Sequence, residues 1–431
     1  MGSQRRLFNR SFLALMSTQF LGAANDNVLK QVLVFMIATG IWSGSLAEGG
    51  LGDGGQSIPA LFLTLPFIFL SGFAGQLADR YSKRSVMLAV KIAEIPIAVV
   101  ALIGLCTQSL WITLGALLLL SVQSSFFGPA KYGVLPEIVG DQALSQANGL
   151  LNMSTNVAII LGSLAAGPLC ALYDPDPASG VSPLLWAPGV ALVVVAVLGL
   201  VSILTMPALP AANPALKPKF DVFATYRESI KGMGPVLLTV AIAWSGFYMI
   251  GMIALLILPE YESILPIGYV GTSLLLGLMG VSIAVSSVAA GFISGRGIKP
   301  RLIPLGATGM AVCFLLLGIL EPTVKGVAIL VGLAGLSAGF YIVPLQALIQ
   351  KLSPDGERGR FLGTASAMSF TASSLGAGLF WFFSGPLSVA PNRIFFVCGT
   401  LAVAGTVVGT VQLQRLLAAQ ASTVPEPQPA E

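Results

Sequence analysis

The chain has 431 residues, of which 55% are hydrophobic and only 9% charged, at a mean hydropathy of +0.88. Soluble globular chains carry about 25% charged residues, so this composition excludes them and leaves a polytopic membrane protein. The net charge of +4 is spread along the chain and does not mark a nucleic-acid binder, and the lack of any histidine removes the usual general base and metal ligand.

Twelve apolar segments long enough to span a bilayer are predicted: 11–40, 57–78, 85–106, 110–130, 145–172, 184–206, 234–259, 269–294, 301–320, 326–350, 360–384 and 390–412. The first carries Asn25, Asp26, Asn27 and Lys30 in its middle. Asp26 falls roughly 20 Å into a helix that begins near Ser11, and a carboxylate at that depth costs about 2.5–3.5 kcal/mol. Asp26 and Lys30 are four apart and share a helix face, where they partly neutralise each other. Two readings stay open: an ion pair that locks helix packing, or a polar site in a transport path.

After the second segment comes Gly75-Gln-Leu-Ala-Asp79-Arg80-Tyr-Ser-Lys83-Arg84. This resembles the signature loop of the major facilitator superfamily, with Ser82 where that pattern has glycine. The glycine would permit close helix approach, and the acid would pair across the two halves in one conformation and release in another. A gating loop is therefore expected at Gly75, Asp79, Arg80, Lys83 and Arg84. On the third segment Lys91 and Glu94 share a face. Lys91 is near enough to the helix start to snorkel outward, and Glu94 is deeper.

Pro129 is expected to end the fourth helix, which puts Lys131 and Tyr132 at the cytoplasmic edge of the membrane. There they would either anchor the helix or meet an anionic head group. The fifth helix begins with Asn148 and Asn152, an i,i+4 amide pair facing the interior and either lining a path or gluing helices. The four cysteines are isolated and read as small apolar residues, and no cofactor or metal is expected.

The halves echo each other. Gly75 to Lys83 recurs 216 residues later as Gly291 to Lys299, Pro129 recurs as Pro344, and Gly167-Pro168 as Gly385-Pro386. Two six-helix halves in parallel repeat are expected. They divide as 1–206 for the N-terminal half, 207–233 for a cytoplasmic linker, 234–412 for the C-terminal half and 413–431 for a disordered cytoplasmic tail. Basic residues gather on one side of the predicted topology, while Lys325 and Arg393 stand on the other. Both termini are therefore expected in the cytoplasm. The deep charges Asp26, Lys30, Lys91 and Glu94 all belong to the first half. One charged wall facing one apolar, aromatic wall suits an amphiphile.

Gln19 to Asn27, Gly75 to Asp79, Gly128-Pro-Ala-Lys-Tyr-Gly133 and Ala147 to Leu150 together resemble the bacterial lysophospholipid transporter family of the major facilitator superfamily. The resemblance implies an all-α polytopic fold of twelve transmembrane helices in the bacterial inner membrane. It implies a flippase that brings lysophospholipids such as lysophosphatidylethanolamine to the cytoplasmic leaflet. There an acyltransferase/acyl-carrier-protein synthetase, here a separate chain, would restore the second acyl chain. The expected partners are lysophospholipid, membrane lipid and that enzyme. The expected substrate-binding residues are Asn25, Asp26, Asn27, Lys30, Glu94, Lys131, Tyr132, Asn148 and Asn152. The alternatives are a proton-coupled exporter of amphiphilic drugs, with the proton on Asp26 or Glu94, and a non-transporting lipid sensor or scaffold. Enzymatic activity is not expected, since no nucleophile–base set is present.

Overall fold

A computed structural model describes residues 7–38, 58–174, 182–261, 264–265, 268–295, 297–384 and 387–422. Thirteen α-helices carry the described residues. The first six are α1 (Arg10–Ala38), α2 (Ile58–Arg80), α3 (Lys83–Cys106), α4 (Leu110–Val139), α5 (Leu144–Tyr173) and α6 (Ala187–Leu204). A short helix, α7 (Val222–Gly232), follows in the linker. The last six are α8 (Pro235–Glu260), α9 (Gly268–Ser294), α10 (Leu302–Ile319), α11 (Val324–Leu352), α12 (Arg358–Ser384) and α13 (Pro391–Ser422).

Ten of these helices are long and apolar enough to cross a membrane. Helices α1 and α12 are as long, at 29 and 27 residues, but are more polar, with Asn25, Asp26, Asn27 and Lys30 in one and Ser366, Ser369, Thr371, Ser373 and Ser374 in the other. With them, twelve long helices form the bundle. Large apolar side chains such as Leu164, Leu274 and Trp381 stand exposed on its outside, as a lipid-facing surface requires.

Local chemistry sets several helix ends. The Asn9 side chain accepts from the Phe12 N–H at the start of α1, and Asp221 does the same for Ala224 at the start of α7. Gly140, at φ 72°, stops α4 in a conformation that favours glycine. Pro129 does not stop α4. The helix runs through both Pro129 and Pro136 to Val139, because a proline removes one backbone bond and the packed neighbours on every side still hold the helix. The linker is also more ordered than its prolines suggest, since α7 forms within it. At the other end α13 continues to Ser422, beyond the expected limit at 412. Residues 385 and 386, the partners of Gly167-Pro168 in the expected repeat, lie outside the described residues, as do residues 423–431 of the tail. Cys106, at the end of α3, is exposed rather than buried.

The repeat is visible in the packing. Helix α1 packs on α5 as α8 packs on α12, α2 on α4 as α9 on α11, and α3 on α6 as α10 on α13. The halves meet along two seams, α2 with α12 and α5 with α9, which exchange under the same pseudo-twofold operation. The echoed glycines mark these seams. A Cβ on Gly75 would collide with the Gly359 carbonyl of α12, and one on Gly291 would lie 2.8 Å from the Ser145 carbonyl of α5. Both are needed because backbone meets backbone there.

Candidate functional site

A buried polar network crosses the middle of the first half. On α3, Lys91 and Glu94 form an ion pair of 2.5 Å, with side chains 3% and 1% exposed. Lys91 does not snorkel. Its ammonium lies against Gly22 of α1, where a Cβ would come within 2.7 Å, and its stem runs past Gly199 of α6. Phe127 presents its ring 5.6 Å from the same ammonium. Glu94 also accepts from Asn25 Nδ2 at 2.9 Å and from Gln123 Nε2 at 3.1 Å. The carboxylate is thus fully engaged by three helices. Glu94 and Asn25 are structural in this arrangement, buried between α1, α3 and α4.

Asp26 has a different setting. It is half-buried and accepts one hydrogen bond, from Ser124 Oγ of α4 at 2.9 Å. The expected Asp26–Lys30 ion pair does not form. Lys30 instead donates to Asn27 Oδ1 at 3.1 Å, while Asn27 Nδ2 donates to the Ala23 carbonyl one turn back. Asn27 competes successfully because it lies three residues before Lys30 and its amide is held in place by the helix backbone.

Lys131 lies about 12 Å inside the end of α4, not at its edge, because the helix continues past Pro129. It is only 8% exposed. Its ammonium stands 4.4 Å from the centre of the Tyr132 ring and feels the Asp26 carboxylate without touching it. No hydrogen-bond acceptor or counter-ion contacts it among the described residues. Tyr132 points to the second half, where its ring meets Trp244 of α8 edge-on and its hydroxyl accepts from Gln346 Nε2 of α11 at 3.5 Å. Trp244 continues to Tyr248, Phe247 and Tyr341, an aromatic wall that faces the charged one.

The amide pair on α5 is matched by a second pair on α11. Asn148 and Gln350 exchange two hydrogen bonds, 2.7 and 3.1 Å, and Asn152 Nδ2 donates to Gln346 Oε1 at 2.8 Å. This ladder joins the halves and closes the floor of the site. Below it, Asp79 at the end of α2 accepts from the N–H groups of Gly359 and Arg360 at 2.7 and 2.8 Å. A carboxylate from one half therefore caps the α12 N-terminus in the other, where the helix dipole favours it. The other members of the loop hold the linker and their own half. Arg80 donates to the Leu216 carbonyl, Arg84 to the Met206 carbonyl, and Lys83 pairs with Glu137 of α4 at 2.5 Å.

The linker is strapped to α2. Gln76 reads its backbone at Lys219 through both ends of the amide and also donates to Thr225. Tyr226 goes further. Its hydroxyl accepts from the Gly72 N–H at 3.2 Å and donates to the Ile68 carbonyl at 2.6 Å, so it bridges two backbone groups one turn apart on α2. All the inter-half hydrogen bonds among the described residues lie toward the end that bears the basic loops. That end is sealed.

The Major Facilitator Superfamily profile matches residues 7–377. The chain belongs to this superfamily. Superfamily members among the solved structures share its fold: the human organic anion transporter MFSD10 (TM-score 0.72, 15% identity, covering 93% of this chain and 99% of that one) and the E. coli fucose:proton symporter FucP (TM-score 0.71, 13% identity, 94% and 99%). Among curated relatives, the lysophospholipid transporter LplT of Serratia proteamaculans is 28% identical over 357 residues, covering 80% of this chain and 81% of the relative. LplT of Yersinia enterocolitica is 28% identical over 394 residues, covering 88% of each. The superfamily fold, the membrane-spanning helices and transporter relatives together make this a multi-pass membrane transporter.

The sequence pointed to Asp26, Lys131, Tyr132, Asn148, Asn152 and Asp79, and the structure brings these together in and beneath one site. It buries Asn25 and Glu94 in the network between α1, α3 and α4, and it gives Lys30 a hydrogen bond to Asn27 in place of a direct contact with Asp26, whose charge it still feels. Not named as site residues from sequence were Gln123, Ser124, Gln346, Gln350 and Tyr226. The i,i+4 spacing of Gln346 and Gln350, which repeats that of Asn148 and Asn152, was the available signal for that pair.

Proposed function

We propose that the protein carries lysophospholipids between the leaflets of the bacterial inner membrane by alternating access. The single observation that carries this reading is Lys131: a buried lysine whose ammonium touches no acceptor or counter-ion among the described residues, with a carboxylate nearby and aromatic residues of the second half beside it. A buried unpaired charge is costly, so an arrangement that keeps one favours an anionic ligand that completes it. The phosphate of a lysophospholipid meets Lys131, the ammonium of an ethanolamine head group meets the half-buried Asp26, and the single acyl chain lies along Phe247, Tyr248 and Tyr341. The LplT relatives are named for this substrate.

With the basic loops in the cytoplasm, as the positive-inside rule implies, the sealed end is the cytoplasmic one. The conformation then faces outward and receives substrate from the outer leaflet. Release to the cytoplasmic leaflet requires the Asp79 cap and the amide ladder to part, after which an acyltransferase/acyl-carrier-protein synthetase would restore the second chain. The test is movement of labelled lysophosphatidylethanolamine across vesicles containing the purified protein. Wild type moves it faster than protein-free vesicles and Asp26→Asn slows it. Equal rates with and without protein would overturn the reading, and pH-gradient-driven movement of unrelated cationic amphiphiles would replace it with drug export.

A further inference from the structure

The first half supplies an anion-binding cation at the site, but its counterpart on the second half has no charge to reveal it. Trp244 is 3% exposed, and its indole Nε1–H has no acceptor among the described residues. Buried tryptophan N–H groups ordinarily find a partner. The aromatic neighbours do not supply an oxygen to it: the Tyr132 hydroxyl is taken up with Gln346, and the Tyr132 and Tyr248 rings meet Trp244 edge to face at 6.5 and 5.5 Å. Lys131 and Trp244 thus flank the same Tyr132 ring from opposite halves: the Trp244 N–H is buried without an acceptor, and the Lys131 ammonium touches no acceptor among the described residues. Their depths agree. Lys131 lies eight residues from the end of α4 and Trp244 nine from the start of α8, about 12 and 14 Å inside the sealed end.

We propose that the Trp244 indole N–H is the second half's ligand for the phosphate of the head group, which bridges it to Lys131 of the first half. This rests on the lysophospholipid reading and adds its missing wall. A phosphate has oxygens for both donors at once, so one anion serves two donors that have no acceptor among the described residues. Because the donors belong to different halves, parting the sealed end pulls them apart. The phosphate then keeps one ligand and loses the other, which weakens binding on the side where release occurs.

The test uses the full chain in nanodiscs and two single-chain ligands, lysophosphatidylethanolamine and a monoacylglycerol of the same chain, which lacks the phosphate. Trp244→Phe keeps an aromatic ring and deletes only the donor. It is expected to weaken lysophosphatidylethanolamine binding about tenfold, the loss typical of one hydrogen bond to a charged group, and to leave monoacylglycerol binding unchanged. In wild type labelled at the indole nitrogens, one of the five tryptophan N–H signals should move downfield with the phosphate ligand only. This second measurement needs no variant to fold. Equal weakening of both ligands, or no phosphate-specific indole shift in a wild type that binds lysophosphatidylethanolamine, would overturn the role of Trp244 alone. A wild type that binds no lysophosphatidylethanolamine would remove the functional reading with it.

Discussion

Two lysines in this core have opposite relations to charge. Lys91 is paired with Glu94 at 2.5 Å, enclosed by Gly22 and Gly199, and braced through Asn25 and Gln123. Removing one partner of such a pair leaves the other buried and uncompensated, at a cost of about 3–5 kcal/mol. Glu94→Gln is therefore expected to lower the melting temperature in detergent by several degrees, and replacement of both residues by methionine should recover most of it. A thermal unfolding series on the three variants checks this. Lys131 has no such partner, so its removal should act on ligand binding and not on folding. The sequence showed that both lysines were deep, but not which one was paired. The distinction depends on α6 and α1 closing around Lys91 through Gly199 and Gly22, contacts between segments far apart in the chain.

At the scale of the element, α2 carries the contacts that hold the sealed end to the second half and to the linker. Its lower end caps α12 through Asp79, and its middle is bonded by the Tyr226 hydroxyl of α7. Asp79→Asn keeps an acceptor but loses one hydrogen bond and the charge facing the helix dipole, about 1–2 kcal/mol in all. The population with the sealed end open should rise about tenfold. Tyr226→Phe loses both bonds of the bridge, loosens the strap and should shift the population in the same direction. Spin labels at Tyr81 and Lys351, exposed residues of opposite halves, would report a longer mean distance in each variant. An unchanged distance distribution would remove the strap and cap from the mechanism. The Asp79 contact was legible because the loop pattern and its 216-residue echo place a gate there. The Tyr226 bridge was not, since a tyrosine in a polar linker carries no sign of the helix it will enter. Pro129 misled for a related reason: its local effect on the backbone is real, but packing within the bundle carries α4 on to Val139.

At the scale of the molecule, the two halves repeat each other in packing and differ in chemistry. The first half carries every buried charge of the central site, and the second answers with Trp244, Tyr248, Gln346 and Gln350. Rigid rocking of halves about the α2–α12 and α5–α9 seams would expose this mixed site first to one leaflet and then to the other. The twelve-helix plan and its repeat were legible because apolar length, charge asymmetry and echoed glycines are properties of the chain itself. The second wall was legible only in part, because neutral amides and aromatics in a membrane helix look the same whether they glue helices or line a path. The most direct measurement is lysophosphatidylethanolamine affinity in Lys131→Met, with the melting temperature taken on the same ligand-free sample. The expected result is a loss of affinity of about tenfold or more with a melting temperature equal to or above wild type. Unchanged affinity, or a loss accompanied by an equally large fall in stability, would contradict the assignment of Lys131 as the phosphate anchor.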